Sequence, residues 1–535
     1  MEMAADLAVF GARIRTMDPD MPLAEAIAVN DGRIVAVGSN DEVRDACDSA
    51  TERLDGSKWS ITPGLTDGHQ HLFTGAELGR GIDFDRTGSL GALRERLHAE
   101  RKRIGPGKWI LGFALEYSTF EGHQYHYDLI ADAAGEGPMM VYSLDLHTAF
   151  VNEHALRAAG VDGPRRFGDA SSVVCDENGH PTGELREKSA MQVVAEVVEG
   201  SSREDRIEWY RDAMYRQNAV GITSIHLMDG NLETVALLDE LERRTILDLR
   251  VWLHYRMAPA TTNEEVDEIL RGDVRKGGLW EASGVKFLLD GVVETGTAWL
   301  EEPDTHGDGG SPMWPNLGRY QELVRRFATS GYRIATHAIG DRAVRFVLDT
   351  YADLPKGATQ HRIEHIETAP DRTISRFQAE GVTASMQPIH MRWMKPDLSD
   401  PWSERLGPAR CEHTMRSGDI SAAGARVVLG SDWPVAPFDP RLGFFAAQLR
   451  RAPDLPDEGA IGASRPLSGE ETLAGYTRNA AEVVGRAGEL GILRPGYHAD
   501  FVAWTEDPST CNPRDVLEDQ VLATFIGGRL VFTAP

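Results

Sequence analysis

Residues 61–71 read Ile-Thr-Pro-Gly-Leu-Thr-Asp-Gly-His-Gln-His, a short apolar run that ends in a pair of histidines. Side chains alternate along a strand with a period of two, so His69 and His71 point to the same side. Two imidazoles on one side of a strand end can bind one metal ion, although a His-x-His pair alone also occurs among surface and core histidines. The apolar run and the Pro63-Gly64 step before the pair favour the metal site.

Four more ionisable side chains stand at or just past the ends of later apolar runs, namely Lys286, His337, His365 and Asp432. Strand patterns alternate with helical patterns here, which predicts parallel βαβ units. The strand candidates are 60–66, 221–228, 249–255, 285–291, 332–339, 358–366, 381–388 and 426–431. Eight parallel strands close a barrel, and the strand ends of a barrel meet at one face. We therefore predict an α/β fold, a (β/α)₈ TIM barrel with a metal centre at that face.

The two ends of the chain read as β structure. Asn30-Asp-Gly32 between two apolar runs is a hairpin signal, and the runs after residue 485 have the same texture. We predict that residues 1–62 and 485–535 combine into one β-sandwich beside a barrel at 63–484. The stretch of about 72–218 is too long for a simple connection, so we predict an insertion that partly roofs the site.

Composition narrows the class of partner. The chain has 535 residues and a net charge of −27, which argues against nucleic acid and anionic membranes as partners. Its four cysteines are scattered without a Cys-x-x-Cys pair, and no apolar run reaches the roughly 18–20 residues of a membrane span. The N-terminus lacks the basic and apolar regions of a signal peptide. We expect a cytoplasmic protein with a small-molecule substrate, and a homodimer is the candidate assembly.

The residues alone leave several roles open. His337 and His365 fit metal ligands or ordinary hydrogen-bonding histidines, and Asp432 in Gly430-Ser-Asp-Trp-Pro434 fits a ligand or a turn. Neutral imidazoles suit zinc, iron, nickel or manganese. Lys286 lies in an apolar strand, where a lysine must pair, become neutral or be modified. Pairing with an acid, a Schiff-base role and carboxylation by CO₂ are the alternatives.

Several motifs together resemble those of the amidohydrolase superfamily, and more narrowly its YtcJ-like branch, amidohydrolase family 3. The resemblance extends over essentially the whole chain. Its motifs are Pro63-Gly-Leu-Thr-Asp-Gly-His-Gln-His71, Gly179-His-Pro-Thr-Gly-Glu-Leu-Arg-Glu187, the segment that starts at Lys286, Thr336-His-Ala-Ile-Gly-Asp-Arg-Ala343, Arg362-Ile-Glu-His365, Gly430-Ser-Asp-Trp-Pro434 and Tyr476-Thr-Arg-Asn-Ala-Ala481.

The resemblance implies a binuclear centre of two divalent metal ions, with zinc as the expected metal. It implies that Lys286 is N-carboxylated and bridges the two ions. His69, His71 and Asp432 would hold the more buried ion, and His337 and His365 the outer one. Asp432 is then the expected catalytic residue, because a carboxylate there can take a proton from metal-activated water and return it to the leaving amine.

Members of such a family hydrolyse amides, esters and related bonds by metal-activated hydroxide. We expect cleavage of a C–N bond in a small molecule such as an N-substituted formamide, an N-acyl amine or a carbamate. A mononuclear deaminase-like activity, an esterase activity and a catalytically inactive binding or regulatory protein are the alternatives. Candidate substrate contacts are His147 and Asn152 in the insertion, His226, His254 and His390 at strand ends, and Trp433 beside the ligand aspartate.

Overall fold

A sheet of eight parallel strands forms the centre of the molecule. The structure is a computed structural model that describes residues 4–144, 146–168, 171–198, 202–271, 274–355 and 360–535. In chain order the barrel strands are β1 (Leu65–Gln70), β2 (Ile222–Gly230), β3 (Arg250–Met257), β4 (Trp280–Leu288), β5 (Arg333–Ala338), β6 (Arg362–His365), β7 (Thr383–Met386) and β8 (Val427–Leu429). Each strand pairs in parallel with the next one along the chain. The predicted barrel is confirmed.

The barrel closes between its first and last strands, where two metal-ligand candidates lie. Asp432 donates its backbone N–H to the carbonyl of His69 at 2.7 Å, and His71 donates to the carbonyl of Trp433 at 2.8 Å. The two backbones approach so closely at this seam that a Cβ on Gly430 would lie 2.5 Å from the backbone nitrogen of His69. A glycine at position 430 therefore permits the closure.

The predicted strand at 60–66 is wrong as one element, because the apolar run contains two strands. Ser60–Pro63 pairs with a strand from the C-terminus, whereas Leu65 pairs with Ile222 in the barrel. Gly64 separates them, and a Cβ there would lie 2.3 Å from the hydroxyl of Thr223. A continuous run of apolar residues hides such a change of partner, because both halves are buried.

Two other predicted strands differ from the structure in their bounds. The candidate at 285–291 begins earlier, at Trp280, and ends at Leu288. Of the candidate at 358–366, residues 358 and 359 lie outside the described ranges, and β6 spans Arg362–His365.

Helices surround the barrel and bury one face each against it. The helix after residue 468 begins with a capping box, because Ser468 accepts from the backbone of Glu471 and the Glu471 carboxylate accepts from that of Ser468. This helix ends at Tyr476. The helices of this layer are Leu72–Leu78, Arg203–Asn218, Leu232–Arg243, Asn263–Leu270, Leu317–Thr329, Asp341–Ala352, Asp371–Glu380, Ser417–Ala422, Pro440–Leu449, Gly469–Tyr476 and Arg478–Val483.

Both ends of the chain build one β-sandwich, as predicted. One sheet, in spatial order, contains Arg33–Gly38, Ala26–Asn30, Leu7–Phe10 and Glu52–Asp55. The other contains Arg529–Thr533, Val521–Ile526, Phe501–Trp504, Ser60–Pro63, Arg13–Arg15 and Leu23–Ala24. Three strands from residues 501–533 thus lie beside three from residues 13–63 in one sheet. Ile14, Ile27 and Phe525 share the core between the two sheets.

The insertion after β1 carries its own six-stranded sheet. In spatial order its strands are Ser172–Cys175, Pro181–Arg186, Thr148–Val151, Met139–Ser143, Ile110–Leu115 and Ile82–Asp83. Its helices are Leu90–Ile104, Ala131–Ala134, Glu153–Ala158 and Lys188–Ala195. Helix Arg203–Asn218 instead packs into the barrel core through Ile207 and Tyr210. Within the described ranges, the helices are all too short or too polar to span a membrane.

Candidate metal centre

Three side chains at the barrel seam converge on one point. His69 lies on β1, His71 follows that strand, and Asp432 follows β8. Asp432 Oδ1 lies 3.1 Å from His71 Nε2 and 3.4 Å from His69 Nε2. Ligands about 2.0–2.1 Å from a tetrahedral zinc ion are roughly 3.3 Å apart. The spacing of these three atoms therefore fits one divalent ion.

Charge at this point favours a cation. Burial opposes ionisation of Asp432, but His69 and His71 outweigh burial and hold the pKa of that carboxyl below its usual range. Burial would lower the pKa of His71, but the carboxylates of Asp229 and Asp432 raise that pKa to about 9. Without a metal the His71 imidazole is thus protonated at neutral pH, and a metal that binds its Nε2 must displace that proton.

Lys286 on β4 faces the same point. Its side chain is buried, and Nζ lies 3.2 Å from His69 Nε2. Burial lowers the pKa of this amine to about 8, because an ammonium loses its hydration there. The amine therefore has a substantial neutral fraction near neutral pH.

His337 on β5 and His365 on β6 complete the row of histidines. The His365 ring centroid lies 4.4 Å from that of His337 and 4.8 Å from that of His69. His337 Nε2 contacts the carbonyl of Gly291 at 3.2 Å, so Nε2 carries the proton and the lone pair is on Nδ1. His365 Nδ1 lies 3.9 Å from Asp432 Oδ2.

The structure adds His390 to this cluster. His365, His390 and Asp432 each have one possible ligand atom within 4.8 Å of those of the other two. The same holds for His69, His71 and Asp432. From the sequence we predicted that His390 contacts the substrate. The segment Gln387-Pro-Ile-His390 nevertheless follows β7, just as the other ligand candidates stand at or just past the ends of their strands. Functional side chains of a barrel stand at strand ends, and this rule alone would have made His390 a metal-ligand candidate.

The other predicted contacts divide into two groups. His147 lines the cavity above the ligand candidates, its ring 6.1 Å from His337, and its Nδ1 pairs with Glu187 at 3.1 Å. Asn152, His226, His254 and Trp433 are not among the described residues that line that cavity. Asn152 instead caps a helix, because its side chain accepts from the backbone of Ala155.

A buried pair of charges beneath His69 was missed by the sequence analysis. Arg362 and Glu364 are both on β6, at most 1% exposed, and point into the barrel two residues apart. Glu364 Oε2 lies 2.7 Å from His69 Nδ1, while Arg362 also contacts His226, Ser385 and the carbonyl of Gly68. The sequence pattern that could have revealed this pair is two charged residues at alternate positions of a buried strand.

A cavity of about 870 Å³ opens above the ligand cluster. Its floor includes His69, His71 and Asp432, and its roof comes from the insertion through residues such as Tyr117, Tyr142 and Glu187. The insertion therefore covers part of the cavity, as predicted. The cavity has room for a small molecule above the metal position.

The donor set fits a divalent metal ion. It contains imidazole nitrogens and one carboxylate, the ligand types that zinc takes in catalytic sites. His365 Nδ1 and His390 Nε2 are buried and lack a hydrogen-bond partner among the described residues. Buried nitrogens without partners are costly unless another group satisfies them, and a metal ion would do so.

A TIM barrel whose strand ends gather histidines and an aspartate under a cavity defines a metal-dependent hydrolase as the class of protein. The model of the amidohydrolase family matches residues 60–532, and the chain belongs to that family. The expected family membership is thereby confirmed.

Relatives of the same length support the assignment. The chain is 26% identical over 531 residues to the YtcJ protein of Bacillus subtilis (strain 168), with 98% of each chain covered. It is 27% identical over 564 residues to an N-substituted formamide deformylase from Arthrobacter pascens, with 99% of each covered. A metal-dependent hydrolase from Pyrococcus horikoshii shares the fold with a TM-score of 0.73 and 22% identity, over 95% of this chain and 99% of that one.

Proposed function

We propose that this protein hydrolyses an amide-type C–N bond of a small molecule with the help of a divalent metal held by His69, His71 and Asp432. The observation that carries the proposal is the convergence of these three side chains on one point at the floor of the cavity. A divalent ion bound there lowers the pKa of water to about 7 and polarises a carbonyl oxygen.

Asp432 is the residue that moves the proton. Its Oδ1 faces His69 and His71, and its Oδ2 faces His365 and His390. The low pKa of the carboxyl keeps it ionised, so it can accept a proton from the attacking water. Asp432 lines the cavity, so the same carboxyl can then give the proton to the leaving amine of a substrate bound there.

Two zinc ions and a carboxylated Lys286 complete this proposal. The neutral amine is the form that reacts with CO₂, and the pKa of about 8 makes that form accessible. The product is an anion beside His69 Nε2, where it could contact two ions. His365 and Nδ1 of His337 would face the second ion. Zinc is proposed because imidazole and carboxylate at near-tetrahedral spacing suit it.

N-substituted formamides are the first substrate class to test, because a formamide deformylase is 27% identical to the chain over nearly its full length. N-acyl amines and carbamates follow, since they present the same carbonyl and leaving amine. The lining of the cavity combines apolar side chains such as Met228 with charged ones such as Arg256, which suits a small substrate with both kinds of group.

The test is turnover of a panel of formamides, N-acyl amines, carbamates, esters and aminated heterocycles by zinc-loaded protein. We expect hydrolysis of at least one C–N class, its loss on chelation, and its return with zinc. Intact-mass measurement under gentle conditions should find a carboxyl adduct on Lys286. Turnover of esters alone, deamination alone or no turnover by the metal-replete protein would overturn the proposal.

A further inference from the structure

A second set of ligand atoms surrounds the other oxygen of Asp432. Oδ1 faces His69 and His71, whereas Oδ2 lies 3.9 Å from His365 Nδ1 and 4.0 Å from His390 Nε2. Two atoms bound to the same ion at about 2.1 Å each can be at most roughly 4.2 Å apart. Each nitrogen alone is within reach of an ion that also contacts Oδ2, and the three side chains would have to close by a few tenths of an ångström to bind one ion together.

Both nitrogens lack any other partner. His365 and His390 are 4% and 5% exposed, and among the described residues neither His365 Nδ1 nor His390 Nε2 has a hydrogen-bond partner. A buried nitrogen in a folded protein normally has a hydrogen-bond partner. Because these two nitrogens face the same carboxylate oxygen, one bound group could serve as the partner of both. A cation is the group that carboxylate and imidazole lone pairs would share.

The backbone holds two of these ligands in strained conformations. His365 has φ +73°, the following Ile366 has φ +53°, and Asp432 has φ +63°. This left-handed region is unfavourable for residues other than glycine, and for a β-branched isoleucine it is exceptional. Such strain persists where the surrounding structure requires a side chain in one place, which is typical of functional sites.

The His390 ring lies between Asp432 and a second carboxylate. The residue is in the short 3₁₀ helix Pro388–Trp393, and its ring is nearly parallel to that of His365, at 18° and 6.3 Å. Its Nδ1 faces Glu367 Oε1 at 3.9 Å, which is longer than a hydrogen bond, and Glu367 Oε2 accepts from Trp402 Nε1 at 2.7 Å. Glu367 therefore adds negative charge beside the ring, which favours a cation there.

We infer that His390 is a ligand of a second divalent cation, which it binds together with His365 and Oδ2 of Asp432. This inference rests on the proposed metal-dependent function and assigns to it a residue that the sequence analysis gave to substrate contact. Asp432 would then be a ligand of both ions, one through each of its carboxylate oxygens.

Zinc binding to the full-length chain tests the inference without any substrate. We would strip the protein with a chelator, titrate zinc, measure bound zinc by mass spectrometry, and follow a parallel cobalt titration by visible absorption. The variants are His390→Asn and the matched control His254→Asn. His254 is also a buried barrel histidine, within β3, whose Nε2 lacks a partner among the described residues, but it belongs to neither ligand group.

We expect two zinc equivalents in the unaltered protein and in His254→Asn. In His390→Asn the second equivalent should bind at least tenfold more weakly, with the first unchanged and the cobalt spectrum of the second step altered. Two equivalents of unaltered affinity in His390→Asn would overturn the inference, as would a single equivalent in the unaltered protein. If His390→Asn does not fold, His390→Gln takes its place with the same two outcomes.

The result separates this inference from the proposed function. Two zinc sites that depend on His390, in a protein that hydrolyses nothing on the panel, would sustain the inference and refute the proposed activity. Hydrolysis of a formamide by the unaltered protein, together with two intact zinc sites in His390→Asn, would support the proposed activity and refute the inference.

Discussion

Glu364 Oε2 lies 2.7 Å from His69 Nδ1, inside the barrel and away from solvent. Although burial would raise the pKa of Glu364, Arg362 and Lys286 outweigh it and lower that pKa to about 2. The carboxylate is therefore ionised and accepts a hydrogen bond from Nδ1–H, which leaves the lone pair of His69 on Nε2, the nitrogen that faces Asp432. Glu364 thus fixes the tautomer that metal binding requires.

Replacement of this carboxylate should weaken the metal site. We expect Glu364→Gln to lower zinc affinity by about 10–100-fold, the usual effect of losing a partner behind a metal-binding histidine. Competition with a zinc chelator measures the affinity. Thermal unfolding of the metal-free protein, run in parallel, detects any loss of stability from the unpaired Arg362. Unchanged zinc affinity in a folded variant would contradict the assigned role.

Asp432→Asn should abolish turnover and leave the fold intact. The substitution removes the negative charge that faces His69, His71, His365 and His390, and it removes the proton acceptor. We expect a loss of more than a thousandfold in rate, within the range seen when a catalytic group is removed. Activity on the best substrate, zinc content and circular dichroism provide the measurements. Asp439→Asn, which alters a helix cap and an ion pair with Arg441 away from the residues that line the cavity, is the control. Full activity in Asp432→Asn would refute its role as proton carrier.

Gly430→Ala should open the barrel seam. The new Cβ would lie 2.5 Å from the backbone nitrogen of His69, and a backbone atom at this position cannot move without displacing β1. Overpacking of this kind costs about 1–3 kcal/mol of the free energy of unfolding. The control is Gly488→Ala, because a Cβ there would meet nothing within 4 Å. Denaturant unfolding measures both, and equal stability of the two variants would contradict the steric argument.

The pair of Arg250 and Asp500 should make stability depend on pH. Arg250 Nε and Nη2 donate to the two carboxylate oxygens at 2.6 and 3.0 Å, and each side chain is 6% exposed. Burial would raise the pKa of Asp500, but Arg250 outweighs it and lowers that pKa below 3.8. The contribution of the pair is therefore complete above about pH 4, the pKa of an unfolded aspartate, and is lost as the pH falls through the folded pKa.

Asp500→Asn should accordingly cost about 3–5 kcal/mol at pH 7, because it leaves the arginine buried without its counter-charge. The difference in free energy of unfolding between the two proteins should shrink below pH 4. Denaturant titrations at pH 7 and pH 3 measure it. A difference that stays constant over this range would show that ionisation of Asp500 does not contribute to stability.

Local patterns in the sequence were sufficient for most of the fold. Apolar runs identified all eight barrel strands, because strands buried on both sides carry little else. The hairpin at Asn30-Asp-Gly32 formed as predicted, with Asp31 and Gly32 at positive φ. The change of partner at Gly64 was not predictable, since Ser60–Pro63 and Leu65–Gln70 are equally buried and only their distant partners distinguish them.

The candidate site was predictable to the extent that its residues stand at strand ends. His69, His71 and Asp432 meet as their positions indicated, but which nitrogen of His337 or His365 faces a metal depends on neighbours remote in sequence. Glu364 escaped attention because its effect runs through His69, some three hundred residues earlier in the chain. A side chain that acts through another residue leaves no recognisable pattern of residue spacing in the sequence.

The seam of the barrel has a consequence for how the protein is made. His69 and His71 leave the ribosome early, whereas Asp432, which completes their ligand set and whose backbone closes the barrel, leaves late. Ser60–Pro63 likewise waits for Phe501–Trp504 before it is paired on both sides. A nascent chain therefore carries His69 and His71 without Asp432 through most of translation, and a site that needs all three residues could form only in its last part.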